Sequence, residues 1–222
     1  MCPGGSQEEQ HRSRSLPYQQ PGGAGRDSRE LLLMAGAECE LERLLANHCA
    51  PVFCHRKTAN LVAARRELMD ALPEVLADSK ISWVQLCGCR KYCHILFYDR
   101  ERLERYLQRE GHQSFLKEHG YAGRTMEEQL SLLAERYESY QKHGNPFPHE
   151  IGLFLEYPLA DIEGFIEHQG KDALESGYWK VYGDVEQARA AFRLYDELKM
   201  ALTTMLAAGF SFRECCAAQT VA

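Results

Sequence analysis

The segment FPHEIGLFLEYP at residues 147–158 places the strongest constraint on how this chain folds. Residues 151–155 are continuously apolar, and Pro148 and Pro158 bound the run. A short apolar run that does not alternate with polar residues is typical of a central strand covered on both faces. The segment therefore predicts an inner strand with helices packed on both sides of it.

The elements after this segment predict an α/β arrangement. Residues 159–168 predict a short helix, and residues 178–182 a second strand whose Trp179 and Val181 face is buried. Asp184 predicts the cap of a long helix. Strand, helix, strand and helix in succession form the βαβ signature, whose crossovers are right-handed. The apolar stripe of the last helix comprises Ala188, Ala191, Phe192, Tyr195, Leu198, Leu202 and Met205.

The first half of the chain predicts two helices and a β-hairpin. Leucines lie at helical spacing in residues 38–47, and a longer helix is predicted from Thr58 or Asn60 to residue 76. β-Branched and aromatic residues at 81–87 and 92–98 flank the turn-like GCRK, which is typical of a hairpin. Further helices are predicted at residues 100–109, 112–119 and 125–142.

A chain of 222 residues suits one domain with a full hydrophobic core. We expect a single α/β domain over residues 34–210, with α+β as an alternative, a small mixed sheet of about four strands, and a short tail at 211–222. Residues 1–33 are rich in Gly, Pro, Ser, Gln and Arg, which predicts a disordered tail. The same residues are also consistent with a start codon that was assigned too early. Arg29 and Glu30 can be encoded by a purine-rich codon pair that resembles a ribosome-binding site, and Met34, which follows it closely, would then be the natural start.

Composition excludes some classes of function. The net charge of −6 disfavours non-specific nucleic-acid binding, which requires a basic face. The apolar runs are far shorter than the roughly 18 residues that span a bilayer. A secretory leader is absent from the amino-terminal sequence, so we expect a cytoplasmic protein whose nine cysteines are reduced.

Four blocks resemble a known bacterial family. They are HCAP at 48–51, KTANL at 57–61, FPHEIGLFLEYP at 147–158 and GYWKVYGD at 177–184. Over residues 38–198 the chain resembles the domain of unknown function 3793, which is common in anaerobic Firmicutes and has no established activity to transfer. The chain departs from the family pattern at residues 52–55, where small residues are expected, and at Glu156, where a glycine is usual.

The carboxyl ends of the two predicted strands form the best ligand crevice, since open α/β sheets bind ligands there. Tyr157 ends the first strand, and Gly183 and Asp184 follow the second at a helix amino terminus. A glycine there exposes backbone amides to an anion, to which Lys180 and Lys57 add positive charge. The simpler alternative is that Gly183 makes a turn and Asp184 only caps the helix.

A basic cluster lies at the start of the predicted helix that follows HCAP. Positive charge at a helix amino terminus suits a phosphate-bearing ligand, although charge runs are more often solvated helix faces. The cluster comprises His55, Arg56, Lys57, Arg65 and Arg66.

Two pairs of residues suit proton transfer or nucleophilic chemistry. His149 and Glu150 supply an imidazole and a carboxylate, but they precede the predicted strand and therefore lie at the wrong end of the sheet. Cys49 follows His48, but adjacent side chains rarely meet, so a base would have to come from elsewhere. A structural role is the favoured interpretation of both pairs.

Cys87, Cys89, Cys93 and His94 contain enough ligands for zinc or an iron–sulfur cluster. The predicted hairpin turn separates the first two from the last two, and the spacing is not a standard one. Buried strand thiols are therefore the favoured interpretation, so no metal site is predicted, and the sequence leaves any other cofactor unknown.

Three functional hypotheses remain open. The first is a protein that binds, or an enzyme that acts on, an anionic small molecule or cofactor. The second is an interaction or regulatory protein that presents Tyr178, Lys180 and Tyr182, or its carboxy-terminal helix, to a partner. The third is a redox or metal-binding role for the cysteines. The sequence does not decide whether the chain is an enzyme.

Overall fold

The computed structural model describes residues 28–77 and 79–220. Most of this part is helical, and the rest includes two small sheets. The helices are α1 (Ser28–His48), α2 (Ala50–Phe53), α3 (Leu72–Val75), α4 (Arg100–Leu107), α5 (Glu110–Glu118), α6 (Met126–His143), α7 (Ile151–Phe154), α8 (Leu159–Glu167), α9 (Val185–Ala207) and α10 (Phe212–Thr220), with a 3-10 helix at Arg66–Ala71. The strands are β1 (Ala59–Arg65), β2 (Ile81–Gly88), β3 (Tyr92–Asp99), β4 (Glu175–Ser176) and β5 (Lys180–Val181).

The larger sheet has the order β1-β3-β2, and both pairings are antiparallel. The middle strand β3 carries apolar side chains at successive positions, so both of its faces must be covered. The protein has an apolar core on each face of this sheet. Ile95 and Phe97 are fully buried in the first core, and Leu96 is fully buried in the second. Alternation along one strand therefore places successive side chains in two different cores.

Helices cover both faces of this sheet. The first core packs β1 and β3 against α1, α2, α9 and α10, and the second packs them against α4 to α8. Residues of the first core include Leu41, Leu45, Phe53, Leu72, Leu202 and Phe212. Residues of the second include Leu103, Leu116, Tyr121, Leu133, Leu153 and Phe154.

The hairpin of β4 and β5 packs on the first half of α9, where Trp179 and Val181 meet Ala188 and Tyr195 in a third apolar cluster. The buried carboxylate of Asp161, on α8, attaches this hairpin to the rest of the fold. It accepts hydrogen bonds from the Trp179 indole at 2.7 Å and from the backbone amides of Tyr182 and Gly183 at 2.8 and 2.7 Å.

The predicted helices end close to where the sequence placed them. Thr125 and Glu128 form a reciprocal capping box at the start of α6, and Gly144 closes that helix at a φ of 68°. The Asp184 side chain accepts from the Gln187 amide and caps α9, as predicted. The hairpin of β2 and β3 and the burial of Trp179 and Val181 are also confirmed, as is the mixed α/β single domain.

The helix predicted from Thr58 or Asn60 to residue 76 is wrong. Residues 59–65 form β1, which pairs with β3 along its whole length, and the 3-10 helix and α3 follow it. Alanines at 59, 63 and 64 gave this segment a helical composition. Val62 and Ala64 nevertheless bury one face in the first core while Ala63 is exposed, so tertiary pairing overrides local propensity.

The central strand predicted at residues 151–155 is also wrong. Residues 151–154 form the short helix α7, and the whole run is buried. A short, fully buried apolar run has the same pattern in a helix and in a strand, so periodicity cannot separate them. Without that strand there is no βαβ crossover and no mixed sheet among the described residues, where every strand pairing is antiparallel.

Both predicted tails fall partly within the described residues. Of the tail predicted at 1–33, residues 1–27 lie outside the described part, and residues 28–33 belong to α1, which extends the helix predicted at 38–47. After residue 210 the sequence indicated only a tail, but α10 forms there and buries Phe212 and Cys215 in the first core.

We expect the hydrogen bonds of the Asp161 carboxylate to contribute strongly to the free energy of unfolding. Asp161→Ala leaves three donors without their acceptor, so we expect the free energy of unfolding to fall by about 3 kcal/mol in urea denaturation. Glu163→Ala, at an exposed position of the same helix, is the matched control and should change it by less than about 0.5 kcal/mol. Equal losses in the two variants would contradict this role.

Candidate functional site

Three of the sequence blocks meet around the side chain of Lys57. Cys49 lies between α1 and α2, Lys57 and Asn60 flank the start of β1, and Tyr157 follows α7. The carbonyl of Pro51 accepts a hydrogen bond from the Lys57 amide at 3.0 Å, which attaches the lysine to the HCAP turn. We call Cys49, Lys57, Asn60, Glu156 and Tyr195 the lysine cluster.

Lys57 is buried, with 2% of its surface exposed. Its Nζ donates to Asn60 Oδ1 at 2.8 Å and lies 5.3 Å from the centre of the Tyr157 ring and 5.6 Å from that of Tyr195. The aromatic faces and one amide oxygen are thus its close partners, and they compensate only part of the lost hydration of an ammonium group.

Burial shifts the pKa values of Lys57 and Cys49 in opposite directions. It lowers the pKa of Lys57 to about 8, against the influence of Cys49 and Glu156, which favour the charged form. It raises the pKa of Cys49 to about 12. At neutral pH the Cys49 thiol is therefore protonated as well as inaccessible, which gives the predicted nucleophile no support and favours the structural interpretation of HCAP.

Glu156 occupies the position where the family resemblance implies a glycine. Its φ of 59° lies in the left-handed region, which glycine adopts without strain, and the Tyr157 amide donates back to the Gly152 carbonyl at 2.9 Å to close α7. The Glu156 carboxylate also accepts from the Thr58 amide at 2.5 Å. The backbone turn is therefore kept, and a carboxylate is added that ties α7 to the start of β1.

Tyr157 separates the lysine cluster from a cavity of about 320 Å³, which we call the aromatic cavity. Its ring stacks on Trp179 with 5.2 Å between the ring centres, and its hydroxyl donates to the Tyr178 carbonyl. Burial raises the pKa of Tyr157 to about 12, so the phenol is neutral. The cavity lining also includes Phe147, His149, Ile151, Leu155, Ile162, Phe165 and Lys180.

Three predicted site residues therefore share this cavity: His149, Tyr157 and Lys180. The His149 ring lies 5.3 Å from Phe147 and 5.5 Å from Phe165, and burial lowers its pKa, which favours the neutral imidazole. Lys180 donates through its Nζ to the Gly170 carbonyl, and its side chain is largely exposed. Lys57 is not in the lining, because Tyr157 stands between it and the cavity.

Gly183 and Asp184 do not join the cavity lining. The Gly183 amide already donates to Asp161, and the Asp184 carboxylate accepts from Gln187 at 2.9 Å. These contacts match the simpler interpretation of a turn and a helix cap. Anion binding at this turn stays a prediction, and it would require the Gly183 amide to leave Asp161.

Glu150 is buried and hydrogen-bonded within the fold, whereas its neighbour His149 faces the cavity. It is 3% exposed, and its Oε1 accepts from Arg136 at 2.6 Å and from the Tyr121 hydroxyl at 3.2 Å. Arg136 also donates to the His119 carbonyl. The pair of adjacent residues is thus split between two environments, and Glu150 anchors the loop ahead of α7.

The four candidate metal ligands lie on different sides of the sheet. Cys93 belongs to the first core and Cys87 to the second, Cys89 is exposed, and the His94 imidazole is hydrogen-bonded to the Tyr137 hydroxyl at 2.7 Å. Within the part of the chain that the structure describes, no three His, Cys, Asp or Glu side chains group closely enough to hold a metal ion.

The predicted basic cluster is dispersed, because its helix is a strand. His55 Nδ1 lies 2.9 Å from Asp99 Oδ2, Arg65 pairs with Glu40, and Arg66 donates to the Cys89 carbonyl.

The face that was predicted to bind a partner makes hydrogen bonds to other parts of the same chain. There the Tyr178 hydroxyl donates to Asp196 at 2.9 Å and the Tyr182 hydroxyl to the Lys171 carbonyl at 3.1 Å.

Sequence reasoning missed several residues that shape these two sites. Asn60, Glu156 and Tyr195 complete the lysine cluster, and Asp161 and Phe165 position or line the cavity. Asp161 carried no local signal, because an aspartate in the first turn of a helix is favoured by the helix dipole whether or not it is buried.

Fold and site together define a mixed α/β single-domain protein in which an aromatic cavity lies beside a buried lysine. Among residues 28–77 and 79–220, no helix combines the length and apolar character needed to cross a membrane. The chain belongs to the family described as Protein of unknown function (DUF3793), whose model matches residues 45–216, and the resemblance drawn from the four sequence blocks is thereby confirmed. Comparison with curated proteins and with solved structures gives no match.

The low pKa of Lys57 predicts a pH dependence of stability. Between its folded value of about 8 and its ordinary value of 10.5, the unfolded chain binds a proton that the folded chain does not. The contribution of Lys57 to the free energy of unfolding should therefore rise with pH across this window. Relative to Lys57→Met, the unsubstituted chain should gain a few kcal/mol there, at about 1.4 kcal/mol per pKa unit.

Chemical denaturation at several pH values measures this difference. Lys199→Met, at an exposed position of α9, is the matched control and should track the unsubstituted chain at every pH. A pH-independent difference between the Lys57→Met variant and the unsubstituted chain would show that Lys57 titrates normally.

Proposed function

We propose that this protein binds a small molecule with a flat apolar body and one anionic group in the aromatic cavity. The observation that carries the proposal is the stacked pair of Tyr157 and Trp179 in a cavity that also contains His149 and Lys180. A volume of about 320 Å³ suits a small ligand, and mostly apolar walls with a few polar groups are typical of ligand sites.

The polar groups of the cavity favour an anion over a cation. Lys180 is the fixed positive charge in the lining, and the neutral imidazole of His149 offers one donor or acceptor. The carboxylate of Asp161 accepts from three N–H donors of the chain, so its oxygens are already engaged. A ligand carboxylate, sulfonate or phosphate would therefore lie beside Lys180.

The lysine cluster supports the wall of this cavity from behind. The Lys57 ammonium lies against the Tyr157 ring, and the Glu156 carboxylate attaches the same turn to β1. A wall held in place before binding loses little conformational entropy when the ligand arrives. These contacts support binding, and no reaction is assigned.

Trp179 provides a direct measurement of binding. The chain has two tryptophans, and Trp83→Phe removes the one on β2, so that the remaining fluorescence comes from the cavity. Titration with anilinonaphthalene sulfonate, a flat aromatic probe with one sulfonate, should quench Trp179 with saturation. Phe165→Ala, which removes part of the wall, should weaken this quenching several-fold.

The anionic group is tested with a neutral analogue. N-phenyl-1-naphthylamine has the same aromatic body and lacks the sulfonate. Lys180→Met should weaken binding of the sulfonate roughly tenfold, or about 1.4 kcal/mol, and leave the neutral analogue unchanged. The matched control Lys171→Met, an exposed lysine of the adjacent loop, should affect neither probe. Equal effects of the two lysine variants would contradict the proposal, as would quenching that does not saturate.

A further inference from the structure

A row of aromatic rings continues from the aromatic cavity onto the surface beside it. Phe147 lines the cavity and is 37% exposed, so it lies at the rim. Its ring meets that of Tyr140, near the carboxyl end of α6, edge to face, with 5.1 Å between the ring centres and 84° between the ring planes. Tyr140 is itself 36% exposed. We call Tyr140 and Phe147 the rim pair.

The rim pair is not part of the interior of the fold. In the part of the chain that the structure describes, neither ring belongs to the two cores or to the third apolar cluster. Tyr137, one turn earlier on α6, is buried in the second core and supports the pair, with its ring centre 6.5 Å from that of Phe147. A single exposed ring is ordinary, whereas adjacent exposed rings that continue the wall of a cavity are typical of a ligand surface.

The loop that carries Phe147 is attached to α6 on both sides of this residue. Before it, the side-chain amide of Asn145 donates to Ser139 Oγ at 2.5 Å. After it, the Glu150 carboxylate accepts from Arg136 at 2.6 Å. The rim pair is therefore held in place without a ligand, and a ring that packs on it costs little conformational entropy of the chain.

The rim pair and Lys180 lie at opposite ends of the aromatic row. From Phe147 the ring contacts lead to His149 at 5.3 Å and from there to Phe165 at 5.5 Å. The Phe165 ring lies 6.5 Å from that of Tyr182, which directly follows the strand β5 that carries Lys180. A ligand whose anionic group lies beside Lys180 therefore directs its other end toward the rim pair.

We infer that the ligand is an elongated molecule with two aromatic units, whose anionic end lies beside Lys180 and whose second ring lies outside the cavity against Tyr140 and Phe147. This inference rests on the proposed function and extends it to the class of ligand. Lys142 and Glu138, on the same turns of α6 as Tyr140, pair with each other at 2.5 Å, so this surface favours an uncharged ring. Edge-to-face and offset contacts with the rim pair would stabilise that ring.

Two probes that differ by one ring test the inference on the full chain. Naphthalene-2-sulfonate is the short probe, and 6-(p-toluidino)naphthalene-2-sulfonate carries an additional tolyl ring at the end remote from the sulfonate. Quenching of Trp179 in the Trp83→Phe background measures the dissociation constant of each probe. Tyr140→Ala should weaken binding of the long probe roughly fivefold, which is the effect of one aromatic contact, and leave the short probe unchanged.

Two further variants are the controls. Tyr140→Phe keeps the ring and should bind both probes as the unsubstituted chain does. Tyr92→Ala removes a tyrosine of β3 that is 48% exposed, and it should alter neither dissociation constant.

The outcomes separate this inference from the proposed function. If the short probe quenches with saturation but Tyr140→Ala leaves the long probe unchanged, the inference is overturned and the proposed function stands. The same holds if Tyr140→Ala weakens both probes equally, because the ring would then only support the cavity. If neither probe quenches Trp179 with saturation, both the proposed function and this inference are overturned.

Discussion

The burial of β3 on both faces is the constraint on which the rest of this structure depends. A strand with neighbours on both sides and apolar residues at successive positions must be covered above and below. The chain meets this requirement by sending α1, α2, α9 and α10 to one face and α4 to α8 to the other. The Lys57 turn lies where these two groups of helices come together, because it connects α2 to β1.

That position explains why a lysine is buried there. The amide of Lys57 is held by Pro51, and Thr58 is bonded on one side to Glu156 and on the other, through its carbonyl, to the Asp99 amide. With its backbone fixed, the Lys57 side chain has only the Asn60 oxygen and the faces of Tyr157 and Tyr195 as close partners. The energetic cost of the buried charge is the source of its low pKa.

The proposed ligand site lies at the edge of this framework. The aromatic cavity depends on the β4–β5 hairpin, which Asp161 holds against α8, and its walls are mostly side chains with few rotatable bonds. The lining of this cavity comes from residues 147–180 alone. The lysine cluster behind it, in contrast, combines Lys57 and Asn60 with Tyr157 and Tyr195, so it forms only once the first and second halves of the chain have packed together.

The sequence by itself determined what local chemistry controls: the capped helices α6 and α9, the hairpin of β2 and β3, the buried face of Trp179 and Val181, and the family. It also selected Tyr157 and Lys180, and placed His149 at the wrong end of the sheet, by a strand-end argument that does not hold, since residues 151–154 are helical. Only the tertiary structure decided that residues 59–65 pair as a strand and that Asp161 binds three donors. The physical reason is that short buried runs have no periodicity of their own, and contacts between distant residues leave no local pattern.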